Sequence, residues 1–171
     1  MKPAHLNWCL FFVFFTFNLT SQNISSSNSK NFIPSINLFD SNGNQVKTSI
    51  LEGKLIGLYF SASWCGNCRS FTPNLVEFRN LHKGEFEVVL VGADGNEKAQ
   101  RNYIEKYKMP WLSVENQSED SRNLLQFANV YSLPSLVILS PDGRIITQNG
   151  VADINDRSAG ALEYWKKTID G

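Results

Sequence analysis

Cysteine is scarce in this chain: three among 171 residues. One of them, Cys9, lies inside an apolar N-terminal run that reads as a cleavable leader. A secreted scaffold stapled by several disulfides is therefore excluded. The two cysteines that remain, Cys65 and Cys68, enclose too short a loop to stabilise much through chain entropy. Histidine is scarcer still, with His82 the one beyond the leader. Two cysteines and one histidine fall short of the Cys and His set of a four-coordinate structural zinc site, so no metal is expected. Arg69, not histidine, follows Cys68, which removes covalent haem attachment. Neither sign of charge is in excess, at sixteen basic and sixteen acidic residues, so bulk electrostatics offer nucleic acid no attraction. An internal repeat, a phosphate-binding glycine loop and a Ser/His/Asp set are missing too, and no cofactor is implied.

What is present begins with Lys2 and the run Leu6 to Leu19, LNWCLFFVFFTFNL. A run of about 14 residues is short of the roughly 20 needed to span a bilayer, so it reads as a signal peptide over residues 1–21. Secretion, a secretory lumen or a bacterial periplasm is the expected location, with membrane contact only through an uncleaved leader. Residues 22–31, rich in Ser and Asn, read as a flexible lead-in, and residues 32–171 as one domain.

Within that domain, Ile36 to Phe39 and Val46 to Thr48 flank a DSNGN turn and read as an edge hairpin. Leu55 to Phe60 and Phe86 to Val91 are continuous apolar runs, the pattern of strands covered on both faces. Between them Cys68, Phe71, Leu75 and Phe78 recur at steps of three and four, drawing one stripe along a helix. Strand, helix and strand in that order imply a right-handed crossover and a parallel pair. A second helix follows, capped by Asp94 or Asn96, with Ala99, Tyr103 and Tyr107 inward; a third starts at Ser118 or Asp120 and carries Leu124, Phe127 and Ala128. Leu136 to Leu139 and Arg144 to Gln148 form a hairpin around a Pro-Asp-Gly turn, and Leu162, Trp165 and Ile169 lie on a last helix. The order is that of an α/β sandwich with helices on both sheet faces.

Cys65 and Cys68 fall where the first buried strand passes into the first helix. At a helix N-terminus, free N–H groups and the helix dipole stabilise a thiolate, so Cys65 is the candidate attacking sulfur. Cys68, on the apolar stripe, is the shielded one, poised to resolve a mixed disulfide. An inert structural disulfide remains the competing reading. Asp153, Asn155 and Asp156 read as a solvated loop and helix cap, not an EF-hand, and Asn23 and Asn116 fit the glycosylation sequon.

The segments LYFSASWCGNCRSFTPNLVEF, VLVGADGNEKAQRNYIEKYKMPWLSV, SLPSLVILSPDGRIIT and ALEYW together resemble the thioredoxin superfamily, and within it the nucleoredoxin and tryparedoxin branch. The resemblance implies a thioredoxin-like three-layer α/β/α sandwich with a central mixed β-sheet. It implies that Cys65 is the nucleophile and Cys68 the resolving thiol. Trp64, Gly66, Asn67, Leu133 and Pro134 are implied as the substrate-binding set, with Pro134 cis and the Leu133 backbone free to pair with an incoming strand. Pro73 resembles the family's helix-kinking proline, and Trp111 reads as a core or rim aromatic. The chain departs from the branch in carrying Gly66-Asn67 where Pro-Pro is usual, and Tyr59 where the superfamily's archetype buries an aspartate. Members of this branch are largely cytosolic or nuclear, at odds with the leader.

The function implied is that of a monomeric thiol–disulfide oxidoreductase, a protein-disulfide reductase. Its partners are disulfide- or dithiol-bearing proteins or small thiols and an unidentified electron donor. A disulfide oxidase or isomerase of secreted proteins is the alternative, and a non-catalytic thioredoxin-fold binding module is the alternative of another class.

Overall fold

The computed structural model describes residues 36–170. Its centre is the strand β3 (Leu55–Ser61), every residue of which is buried, paired in parallel along its length with the equally buried β4 (Phe86–Gly92). Continuous burial follows from cover on both faces, which the Val, Leu, Ile and Phe content of both runs requires. On its other side β3 pairs antiparallel with β6 (Ser135–Leu139), Phe60 lying opposite Ser135. Four shorter strands complete the sheet: β1 (Leu38–Phe39), β2 (Gln45–Val46), β5 (Leu112–Ser113) and β7 (Ile145–Thr147). The order is β2-β1-β5-β4-β3-β6-β7, a mixed sheet.

The helices are α1 (Gly66–Leu81), α2 (Glu97–Lys106), α3 (Glu119–Ala128), α4 (Gly150–Arg157) and α5 (Ala161–Asp170). One core lies between the sheet and Phe71, Leu75 and Phe78 of α1, Tyr103 of α2, Ile154 of α4 and Trp165 of α5. The opposite face, with Leu58, Phe60, Val89 and Val91, packs against Leu124 and Ala128 of α3. Helices thus cover both faces, the α/β/α arrangement expected. The stripe read along α1 is the buried one, and Trp111 is a core residue at 2% exposure.

Several local features differ from the sequence reading. The Asp153–Asp156 stretch is not a loop: it lies in α4, and Asp153 accepts a hydrogen bond from the indole N–H of Trp165 at 2.9 Å. The short β5 joins the edge hairpin to β4. In α2 the buried face is Gln100, Tyr103 and Ile104, with Ala99 only half-buried; the Gln100 side chain donates to the Val114 carbonyl at 2.8 Å, which satisfies its burial. Asn116 is also drawn inward, 8% exposed, with its amide donating to Gln100 at 3.3 Å, so its sequon is not an open glycan acceptor.

Candidate active site

The chain leaves β3 at Ser61 and turns through Ala62 to Trp64, the turn closed by the Cys65 N–H donating to the Ala62 carbonyl at 3.1 Å. Cys65 then caps α1 in extended geometry, and its Sγ accepts the Cys68 N–H at 3.2 Å. The sulfur therefore sits where the first-turn N–H groups of α1 have no helical partner, the place that favours a thiolate. No acidic residue lies in that first turn to oppose it. Cys65 and Cys68 form a disulfide with Cα atoms 5.2 Å apart. Cys65 is 8% exposed and Cys68 fully buried, so an incoming group meets the Cys65 sulfur first.

Trp64 stands 65% exposed beside the pair, its ring N–H donating to the Ala93 carbonyl at 3.1 Å. Gly66 and Asn67 are exposed at the start of α1. Across the site, the loop before β6 brings Leu133 against Ala62, Cys65 and Cys68, and the Leu133–Pro134 peptide is cis. All seven sequence-read site residues thus gather at one end of the sheet. The register of β3 against β6 explains this, because the antiparallel pairing delivers the end of one strand beside the start of the other. Pro73 lies inside α1, where its missing N–H leaves the Arg69 carbonyl without a helical donor.

Behind the disulfide lies a set of buried hydroxyls that sequence reasoning reaches only at Tyr59. The Thr72 hydroxyl donates to the Cys68 carbonyl at 2.8 Å and stands 2.9 Å from the Tyr59 and 2.8 Å from the Tyr103 hydroxyl. Tyr103 continues to Ser61 at 3.0 Å. Burial pushes the Tyr59 phenol well above its ordinary value, and the neighbouring Tyr103 pushes the same way. Tyr59 is therefore a neutral phenol at working pH and not a substitute base for the archetype's aspartate. Only the apolar surroundings of position 59 hint at this set, since its members come from three separate elements. Among the described residues, no group of three or more His, Cys, Asp or Glu is placed to hold a metal ion.

Residues 53–145 match the sequence profile of the thioredoxin-like family. The chain belongs to the thioredoxin superfamily. Within it, the nucleoredoxin and tryparedoxin-like branch is the one it falls in. Probable nucleoredoxin 1 of Arabidopsis thaliana is 43% identical over 130 residues, 74% of this chain and 22% of that protein. Tryparedoxin from Trypanosoma brucei superposes with a TM-score of 0.68 at 37% identity, covering 77% of this chain and 92% of that one. Thioredoxin from Wuchereria bancrofti gives a TM-score of 0.69 at 33% identity, covering 80% and 98%. The chain spans only 22% to 31% of the length of the first curated relatives it matches.

The curated relatives correct the expected location. The named relatives are nucleoredoxins, the cytoplasmic and nuclear branch, and the reading of a secreted or lumenal protein does not stand against them. The leader-like run of residues 1–21 and the lead-in of residues 22–31 lie outside the described residues, as does the Asn23 sequon. In this thioredoxin fold, the vicinal Cys65–Cys68 pair supports thiol–disulfide redox chemistry.

Proposed function

We propose that the chain is a protein-disulfide reductase of the thioredoxin and nucleoredoxin type. In the dithiol state the Cys65 thiolate attacks one sulfur of a partner disulfide, forming a mixed disulfide and releasing the other partner sulfur as a thiolate. Cys68, deprotonated, attacks the Cys65 sulfur; the Cys65–Cys68 bond forms and the second partner thiolate leaves. Two electrons pass to the partner, and a reducing dithiol of lower potential restores the pair. Trp64, Gly66 and Asn67 on one side and Leu133 and Pro134 on the other form the surface that receives the partner chain, whose backbone pairs with that of Leu133. The partner that is reduced is a disulfide-bearing protein, the pair is restored by a dithiol or small thiol, and each is met by a single copy of this chain.

The observation that carries this reading is the asymmetry of the pair. Cys65 presents its sulfur at the helix N-terminus, with the Cys68 N–H directed at it, while Cys68 is buried one turn further on. The test is turnover of a protein disulfide with a dithiol reductant. Cys65→Ser abolishes it, and Cys68→Ser accumulates the mixed disulfide, visible by mass. Unaffected turnover in Cys65→Ser overturns the mechanism. A dithiol potential near about −270 mV fits a reductase, and one near about −120 mV would mark an oxidant instead.

A further inference from the structure

The loop between β4 and α2 holds a carboxylate that the exchange steps above do not use. Asp94 is 2% exposed; its Oδ1 accepts the Ser63 N–H at 2.9 Å and the Ser63 hydroxyl at 2.5 Å, and its buried Oδ2 has no hydrogen-bond partner. Capping of α2 does not account for it, because Asn96 does that, accepting the Ala99 N–H at 2.9 Å. Burying a carboxylate costs free energy that its contacts must offset, and both contacts go to one residue, two positions before Cys65. The surrounding backbone is turned to the same purpose. The Ala93 carbonyl holds the Trp64 indole, and the Gln117 amide donates to the carbonyls of Asp94 and Gly95 at 3.2 Å each. From α1, the Arg69 guanidinium donates to the Ser63 carbonyl at 2.9 Å. Ser63 is thus held at its N–H, its hydroxyl and its carbonyl, the first two by Asp94 alone.

We propose that Asp94 is a positioning residue for disulfide exchange: by gripping Ser63 it sets where the Cys65 sulfur and the Trp64 ring stand over the start of α1. The proposal rests on the reductase reading of Cys65. Ser63 lies inside the turn closed by Cys65 N–H to Ala62, and Cys65 keeps the Cys68 N–H directed at its sulfur only while that turn holds its shape. The grip acts through geometry, since its two donors need an oxygen acceptor at that point. The charged groups on the packed elements around it are Arg69 of α1, Glu97 of α2, whose carboxylate accepts the Asn116 N–H at 2.9 Å, and Arg122 of α3, which donates to the Gln117 carbonyl at 2.6 Å.

The test compares Asp94→Asn, which keeps an oxygen for both Ser63 donors, with Asp94→Ala, which does not. Two readouts are used: kcat/KM for a protein disulfide, and the pH profile of Cys65 alkylation in the reduced protein. In Asp94→Ala, kcat/KM falls about tenfold to a hundredfold, the scale of a misplaced reacting group. Its alkylation midpoint moves to higher pH, because the thiolate loses the Cys68 N–H. Asp94→Asn stays within about threefold of the parent on both readouts. Should Asp94→Ala fail to fold, Ser63→Ala decides, since it deletes only the hydroxyl contact; it is expected to move both readouts in the same direction by a smaller amount. Parental behaviour in a folded Asp94→Ala or in Ser63→Ala overturns the proposal, and so does an Asp94→Asn as impaired as Asp94→Ala. A parent protein that fails to turn over any disulfide defeats the reductase reading instead, and the alkylation profiles still judge Asp94.

Discussion

Replacing Thr72 by valine removes one oxygen, the joint at which the buried hydroxyls behind the disulfide meet. That oxygen is hydrogen-bonded to the Cys68 carbonyl, to Tyr59 and to Tyr103. After the substitution the single Tyr59 proton goes to the Cys68 carbonyl, 3.3 Å away, and the Tyr103 hydroxyl keeps Ser61 at 3.0 Å, so neither phenol is left without a partner. The cost is therefore that of the missing hydrogen bonds, with no buried phenol stranded. Three hydrogen bonds are lost and one is regained as the Tyr59 proton turns to the Cys68 carbonyl, so at about 1 kcal/mol net for each the destabilisation is roughly 2 kcal/mol. Urea unfolding of the oxidised protein measures it as a lower midpoint at unchanged slope. Turnover tells a second thing. The hydroxyl set ends on the backbone carbonyl of Cys68 and not on its sulfur, so the folded variant should lose far less than the about 100-fold that removal of a general acid or base brings. A stability change under about 0.5 kcal/mol, the scale of an ordinary surface substitution, would refute the energetic reasoning. A loss of about 100-fold in turnover by folded protein would refute the structural role and make the set a proton path.

Two further outcomes follow from the packing. A Cβ at position 150 would stand 2.6 Å from the Leu136 carbonyl oxygen, so Gly150→Ala should cost about 1–3 kcal/mol as α4 is pushed off β6, read as a lower thermal midpoint. An unchanged midpoint would mean α4 can shift freely. The raised Tyr59 phenol adds a pH dependence: the unfolded chain ionises it near about pH 10 while the folded chain does not, so its contribution is complete below that pH and is lost above it. Urea midpoints followed upward from neutral pH should fall at the alkaline end, and Tyr59→Phe should flatten that fall; an equal slope in the variant would assign it to other groups.

Position 94 shows where sequence reasoning stops. Asp94 and Asn96 are equal candidates to cap α2 on residue type, because either side chain suits that role; only the fold shows Asn96 taking it and Asp94 turned to Ser63, 31 residues away. The β3 and β4 strands and the α1 stripe are legible because burial on both faces, or on one helical face, writes a pattern into consecutive residues. The helix α4 writes none: in GVADINDR the buried positions are Gly150 and Ile154, and its aspartates look solvated until one meets the Trp165 indole. The two-residue β5 is too short to show an alternation. Cys65, Cys68 and their neighbours are readable from spacing and resemblance. Thr72, Tyr103 and Ser61 are not, because a hydroxyl chain assembled from a helix, another helix and a strand has no linear signature.

The unequal exposure of the two sulfurs also governs occupancy. With Cys68 sealed within the first turn of α1 and only Cys65 slightly open to solvent, the described residues offer one covalent berth at this site, and in the proposed exchange a second substrate cannot join while the first is attached. On the proposed reductase reading each cycle is then strictly sequential: the departure of one partner and the closing of the ring are the same event, and no vacancy opens until an outside reductant has broken that ring again.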